Sequence, residues 1–168
     1  MTHTDRQRAR VYAAESVVHR LIDRRTDFPV IEAYGSRVVV PDDRKFGDID
    51  SVQRYVDAVL ALDWVRRAAP DRATIPARVR ARAGATKAEY EPLTHTIAVP
   101  THRIGGGWAM RELVVLHELA HHLTGGADHG PAFVAMLVDL VAELVGAEAG
   151  FLLRSALLDA GASVAAPA

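Results

Sequence analysis

The chain has 168 residues, of which 49% are hydrophobic and 24% charged, a composition that fits one ordinary globular domain and excludes a disordered or fibrous chain. It contains no cysteine, which excludes a disulfide framework and a cysteine-ligated zinc site, so a metal ion would have to bind His, Asp or Glu side chains. Its net charge of -1 gives no overall attraction to nucleic acid or to an anionic membrane.

Two stretches bear on location. The N-terminal sequence MTHTDRQRARVYAAE is charged and lacks the apolar core of a signal peptide. The most apolar stretch, residues 133–153, carries three carboxylates that would be costly in a bilayer. We therefore expect a cytoplasmic protein without a membrane span, folded as a single domain over residues 1–168 with a flexible tail from about residue 160.

Apolar residues in the first half predict two helices and a short strand. In residues 6–24 they recur at spacings of three and four, which is typical of an amphipathic helix. The β-branched run at residues 36–41 predicts a strand. A second helix is expected to begin after Asp48 or Asp50 and to be closed off by Pro70.

Between residues 75 and 100, apolar or small residues alternate with polar residues. ARVRARAG, KAEYE and HTIAVP predict three strands of a small antiparallel meander, the last two joined by a turn at residues 92–94. A loop with three glycines follows at residues 102–108. A flexible connector is the simpler interpretation of that loop, and a lid hinge is the alternative.

The C-terminal third predicts two more helices. The first, at about residues 109–123, carries the sequence HELAH and ends at the glycines of residues 125–126. Pro131 suits the first position of the second, which runs to about residue 158 with a possible break at residues 146–150. N-terminal helices, a small sheet, the HELAH helix and a C-terminal helix together predict an α+β fold.

The HELAH helix brings together residues that could bind a metal ion. Residues four apart on a helix project from the same face, so His117 and His121 can both direct a ring nitrogen at one ion. Glu118 projects about 100° away from His117 and would flank the ion without binding it. It could take a proton from a water molecule that the ion activates and pass it to a leaving group. This is the HExxH arrangement of zincins.

A catalytic zinc site needs a third protein ligand. His129 is the first candidate, because the glycines after the HELAH helix allow the chain to turn back. Glu143 is the alternative, as a glutamate supplied by the following helix, and Glu148 is a weaker one. Asp128 could bind the ion directly or accept a hydrogen bond from a ligating histidine.

Other polar residues favour ordinary roles. His122 projects about 100° from its neighbour His121, so we interpret it as a helix-end residue and not a ligand. We expect His95, His102 and Tyr90 at the surface, with stabilisation of an oxyanion as the alternative. Three arginines of the first strand of the predicted meander are expected to form a solvated face and not a nucleic-acid surface; they are Arg78, Arg80 and Arg82.

The stretch WAMRELVVLHELAHHL, together with DHGPAF, resembles the actinobacterial HExxH metallohydrolases. It is more distantly similar to the SprT-like zinc metallopeptidases, in which HExxH is followed by a His-Gly-x-x-aromatic element like residues 129–133 here. The resemblance implies a zincin-like fold, with His117, His121 and His129 as zinc ligands and Glu118 as general base. It also implies a peptide or protein substrate, bound in extended form along HTIAVP.

Two departures narrow the resemblance. Thr124 and Ala127 stand where metzincins have a glycine and their third histidine, which excludes that subclass. The chain has no cysteine for the zinc ribbon of SprT-like proteases that act on DNA-bound proteins, so a nucleic-acid partner is not expected. The alternative function is a non-catalytic metal-binding or interaction protein on the same scaffold. Glu118 favours an enzyme, since a purely structural site does not use a base.

Overall fold

The computed structural model describes residues 5–84, 87–101 and 109–165. The chain divides into two compact units, Met1–Asp43 with Asp128–Ala168 in one and Arg44–Ala127 in the other. The described residues form seven helices and five strands, which confirms the predicted α+β class. In chain order these are α1 (Arg8–Asp23), β1 (Val30–Ala33), β2 (Ser36–Val39), α2 (Ile49–Leu60), α3 (Asp63–Ala68), α4 (Pro70–Ala73), β3 (Arg78–Ala81), β4 (Glu89–Glu91), β5 (Thr96–Val99), α5 (Glu112–Thr124), α6 (Pro131–Leu144) and α7 (Ala147–Asp159).

The first unit contains α1, the β1–β2 hairpin, α6 and α7. Helix α7 packs against both α1 and α6, and the two strands pair antiparallel with Val30 opposite Val39. Pro131 begins α6, as predicted, because a fixed φ and a missing N–H suit the first helical turn. The predicted break also occurs, at Gly146, whose φ of 141° few other residues adopt. The largest fully buried side chains of the first unit are Phe133, Leu137, Leu140, Leu152, Leu153, Leu157 and Val11.

The second unit contains α2 to α5 and a three-stranded sheet. Helix α2 begins after Asp48, as predicted, because the Asp48 carboxylate accepts the N–H of Ser51 in a capping box. The helix ends at Leu60, and two short helices follow it. Pro70 begins the second of these, so the prediction that it closes a helix is wrong; here the residue takes the first helical position, where its missing N–H does no harm.

The sheet has the order β3-β5-β4, so the predicted antiparallel meander is wrong in one respect. Strands β4 and β5 form the predicted antiparallel hairpin, but β3 pairs parallel with β5. All four residues of β5 are buried, whereas β3 and β4 each have exposed positions. The apolar strand therefore takes the centre and the half-exposed strands take the edges. Since both sides of β5 are paired, a peptide cannot add along HTIAVP as expected.

Several expectations concern residues at the limits of the described chain. The glycine-rich loop and His102 lie outside the described residues. Beyond α7, the backbone N–H of Ser163 donates to the Gln7 side chain and that of Ala165 donates to the Pro131 carbonyl.

Among the helices described, none has the length and apolar character needed to cross a bilayer. A zincin-like fold and a single domain remain predictions.

Candidate metal centre

Helix α5 carries the HExxH motif and is buried on every side. Its residues from Glu112 to Leu123 are all buried, as expected for a helix in which apolar side chains occur all round. It ends at Gly125, whose φ of 77° is the left-handed conformation that glycine adopts without strain. The predicted end of the helix is confirmed, and its start lies three residues later than expected.

Both ends of α5 are anchored within the second unit. At the start, the buried Glu112 carboxylate accepts the Tyr55 hydroxyl at 2.5 Å and the Arg44 backbone N–H at 3.0 Å. Burial, and then the hydrogen bond to Glu112, raise the pKa of Tyr55, so its hydroxyl stays protonated and donates. At the end, Arg72 Nε donates to the His122 carbonyl at 2.8 Å. The helix is therefore held at both termini by side chains from other elements.

The structure brings together three of the residues that the sequence singled out. His117, His121 and His129 are 4%, 5% and 3% exposed, and one ligand nitrogen from each lies within 4.8 Å of the others. Such a group could hold a metal ion. Glu143 and Glu148, the alternative third ligands, are exposed and do not belong to this cluster among the described residues.

Hydrogen-bond partners engage the Nδ1 atom in two of these histidines. His129 Nδ1 lies 2.5 Å from Asp5 Oδ2, and His121 Nδ1 lies 3.1 Å from the Gly126 carbonyl oxygen. A carboxylate or carbonyl oxygen only accepts hydrogen bonds, so Nδ1 is the donor in both rings, and in the neutral form that a metal ion requires the lone pair would be on Nε2. Histidine ligands of metals are commonly held in this way. The donor set thus fits a metal ion.

Asp5 is the site residue that sequence reasoning missed. Burial raises the pKa of the Asp5 carboxyl, but hydrogen bonds from the His129 side chain and backbone lower it by more. The pKa of Asp5 therefore lies below its usual value. Asp5 is therefore an ionised acceptor at neutral pH. Local sequence patterns offer no signal for it, because Asp5 and His129 are 124 positions apart in the chain. Asp128, expected as a ligand or an acceptor, is exposed and lies outside the cluster.

Glu118, predicted to be the general base, follows His117 directly on α5. Its side chain is 5% exposed, and it is not one of the residues that form the cluster. The arrangement therefore combines three imidazoles, which could bind a cation as neutral ligands, with a carboxylate that follows one of them in the chain. Imidazole ligands suit Zn²⁺ and also Cu²⁺ and Ni²⁺.

His122 belongs to a separate polar network on another side of α5. Its Nε2 donates to the Ile75 carbonyl at 2.9 Å, which makes Nδ1 the acceptor of the Tyr90 hydroxyl at 3.1 Å. The Tyr90 oxygen in turn accepts from Arg72 at 3.0 Å and lies 3.2 Å from His95 Nδ1, which must then donate. Burial, followed by the charge of Arg72, lowers the pKa of His122, consistent with a neutral ring.

This network corrects two expectations. Tyr90, expected at the surface, is 4% exposed, and His95 is half-buried. Both contact His122 because β4 packs against α5. His122 itself is fully buried and hydrogen-bonded through both ring nitrogens, so it is more than a residue at a helix end, and it is not part of the metal cluster.

Comparisons with protein-family models, with curated proteins and with solved structures find no match for this chain. The resemblance to HExxH metallohydrolases therefore remains an expectation carried by the motifs.

Proposed function

We propose that this chain is a zinc-dependent hydrolase of peptide bonds. The observation that carries the proposal is the buried cluster of His117, His121 and His129, with Glu118 beside it on the same helix. Three protein ligands are the number that catalytic zinc sites use, with the fourth position left for water or substrate. A zinc ion bound there would polarise a carbonyl group and lower the pKa of water.

Glu118 is the proposed general base. A carboxylate that follows a metal ligand in the chain, and is not itself a ligand, could take a proton from the attacking water and deliver it to the amide nitrogen that leaves. Helix α5 is buried and anchored at both ends, so His117, Glu118 and His121 are held in a fixed relation. Such rigidity reduces the reorganisation that the reaction requires.

The alternative is a protein that binds metal without catalysis. The observation that favours it is the low exposure of the group, since each of the three histidines and Glu118 is at most 5% exposed. A structural metal site is closed and is compatible with such burial, whereas the metal site of a hydrolase must be accessible to a substrate. Glu118 distinguishes the two functions, because only the enzyme uses a base.

The decisive experiment compares wild type with Glu118→Gln. Metal content is measured by elemental mass spectrometry after zinc loading, and cleavage is measured on a peptide library. We expect about one zinc per chain in both proteins, as a three-ligand site binds a single ion. We expect turnover to fall by roughly 10²- to 10⁴-fold in the variant, the usual contribution of a general base.

Two further variants complete the design. Glu143→Gln neutralises an exposed carboxylate outside the cluster and should retain both metal and turnover, which also tests the alternative third ligand. His121→Ala should lose metal. If wild type binds zinc but cleaves no peptide and matches Glu118→Gln in every assay, the non-catalytic function replaces the enzyme. If wild type binds no metal, the proposal fails altogether.

A further inference from the structure

Asp5 makes two contacts with a single residue of the metal cluster. Its Oδ2 atom lies 2.5 Å from His129 Nδ1 and accepts the His129 backbone N–H at 3.1 Å. One carboxylate oxygen therefore contacts both the ring and the backbone of the same histidine. This pairing restricts the rotation of the imidazole as well as the position of its Cα.

The start of α1 orients the Asp5 carboxylate. The other oxygen, Oδ1, accepts the backbone N–H of Gln7 at 3.3 Å and of Arg8 at 3.1 Å. Gln7 then donates from its side-chain amide to the His129 carbonyl at 3.0 Å. The carboxylate thus bridges the first turn of a helix and a candidate metal ligand, and its geometry is set before any ion arrives.

Aromatic rings enclose the same imidazole. The Tyr12 ring centroid lies 5.3 Å from that of His129, and the Phe133 centroid lies 4.8 Å from it. The Asp5–His129 hydrogen bond is therefore shielded from water on the His129 side, where the residue is only 3% exposed, while the Asp5 side chain is 22% exposed. A charge-assisted hydrogen bond is stronger in such surroundings than at the surface.

We propose that Asp5 is a positioning residue that holds the His129 ring with Nε2 directed at the metal ion and strengthens its binding. The inference rests on the metal site of the proposed function and deepens it. His121 has the same tautomer but donates to a neutral carbonyl, that of Gly126. Of the two acceptors, the Asp5 carboxylate and the Gly126 carbonyl, only the carboxylate is charged. A charged acceptor increases the electron density available at Nε2 of the histidine that donates to it.

The informative substitution is Asp5→Asn. Asparagine keeps one acceptor oxygen of the same shape, so it can still accept the Gln7 and Arg8 N–H groups at the start of α1. The amide has only one acceptor oxygen, however, and its NH₂ group must face either the N–H groups of α1 or those of His129. The charge is lost in either orientation. Metal affinity should therefore fall while the fold is kept.

The test is a titration of metal-free protein with Zn²⁺ in competition with a chromophoric chelator at neutral pH. Asp5→Asn should weaken zinc binding by roughly 10- to 100-fold, the effect typical of removing such a partner of a ligand. Asp5→Glu, which restores the charge, should recover part of the loss. Asp128→Asn is the matched control, because it removes a negative charge one residue from His129 at an exposed side chain outside the cluster.

The stability of the metal-free proteins separates positioning from a merely structural role. If Asp5 only supports the fold, Asp5→Asn lowers the unfolding midpoint without metal and leaves the zinc affinity of the folded protein unchanged, which overturns the inference. Equal affinity losses in Asp5→Asn and Asp128→Asn overturn it as well, since the effect would then be general electrostatics. Failure of wild type to bind zinc would refute the proposed function itself, which is a distinguishable result.

Discussion

Asp139 and Glu143 lie one helical turn apart on α6, and both side chains are exposed. Partial desolvation, and then the negative charge of Glu143, raise the pKa of Asp139. The native chain therefore binds a proton at Asp139 more readily than the unfolded chain does. As pH rises through the ordinary carboxyl range, ionisation of Asp139 removes stability.

Asp139→Asn should stabilise the protein at neutral pH by about 0.2–0.5 kcal/mol, the usual size of a like-charge repulsion at this spacing. The gain should vanish below about pH 4, where the carboxyl is protonated. Urea unfolding at the two pH values measures both effects. Glu143→Gln should give a similar gain, and the double variant less than their sum. An equal gain at acid pH would contradict the electrostatic explanation.

Among the elements, α6 and α7 approach each other unusually closely at Gly150. A Cβ atom placed there would lie 2.5 Å from the Ala142 Cβ and 2.8 Å from its Cα. Both are atoms of α6 close to its backbone, not the far end of a flexible side chain, so they cannot move aside to make room for a methyl group. The small residue is therefore required by packing, although it lies inside a helix where glycine is otherwise unfavourable.

We expect Gly150→Ala to be destabilising despite the better helix propensity of alanine. The propensity gain is about 1 kcal/mol. Overpacking typically costs about 1–3 kcal/mol, and contact with backbone places this site at the upper end. Gly47→Ala is the control, because nothing lies within 4 Å of a Cβ there. Urea unfolding that shows equal effects for the two variants would refute the close-packing argument.

The C-terminal end of α5 depends on the Tyr90 hydroxyl, which joins Arg72, His95 and His122. Tyr90→Phe leaves these polar groups without their shared partner, and an unsatisfied buried group costs about 1–3 kcal/mol. Chemical denaturation should show that loss. Tyr34→Phe, at an exposed ring, should change stability by less than about 0.5 kcal/mol. Similar values for both variants would mean that the network contributes nothing.

For the whole molecule, a metal ion that binds the native chain and not the unfolded one must stabilise it. At a free zinc concentration of 100 Kd the stabilisation is about 2.7 kcal/mol. Thermal unfolding with and without zinc should show this increase in wild type. His129→Ala should abolish the zinc-dependent increase, whereas His95→Asn, outside the cluster, should retain it whatever its own stability. Retention of the increase in His129→Ala would remove that residue from the site.

The sequence by itself predicted those features that depend on neighbours along the chain. The helix positions of His117 and His121, the end of α5 at Gly125 and the start of α6 at Pro131 all follow from spacings of a few residues. Helical geometry acts over one or two turns, so local patterns suffice to infer it.

Only the tertiary structure decided which distant residues meet. The parallel pairing of β3 with β5 depends on which strand is most completely buried, and that is a property of the whole unit. The hydrogen-bond partners of buried histidines are equally non-local: Asp5 is 124 positions from His129, and Tyr90 is 32 positions from His122. A hydrogen bond requires atoms within about 3 Å, and periodicity along a chain carries no information about such approaches.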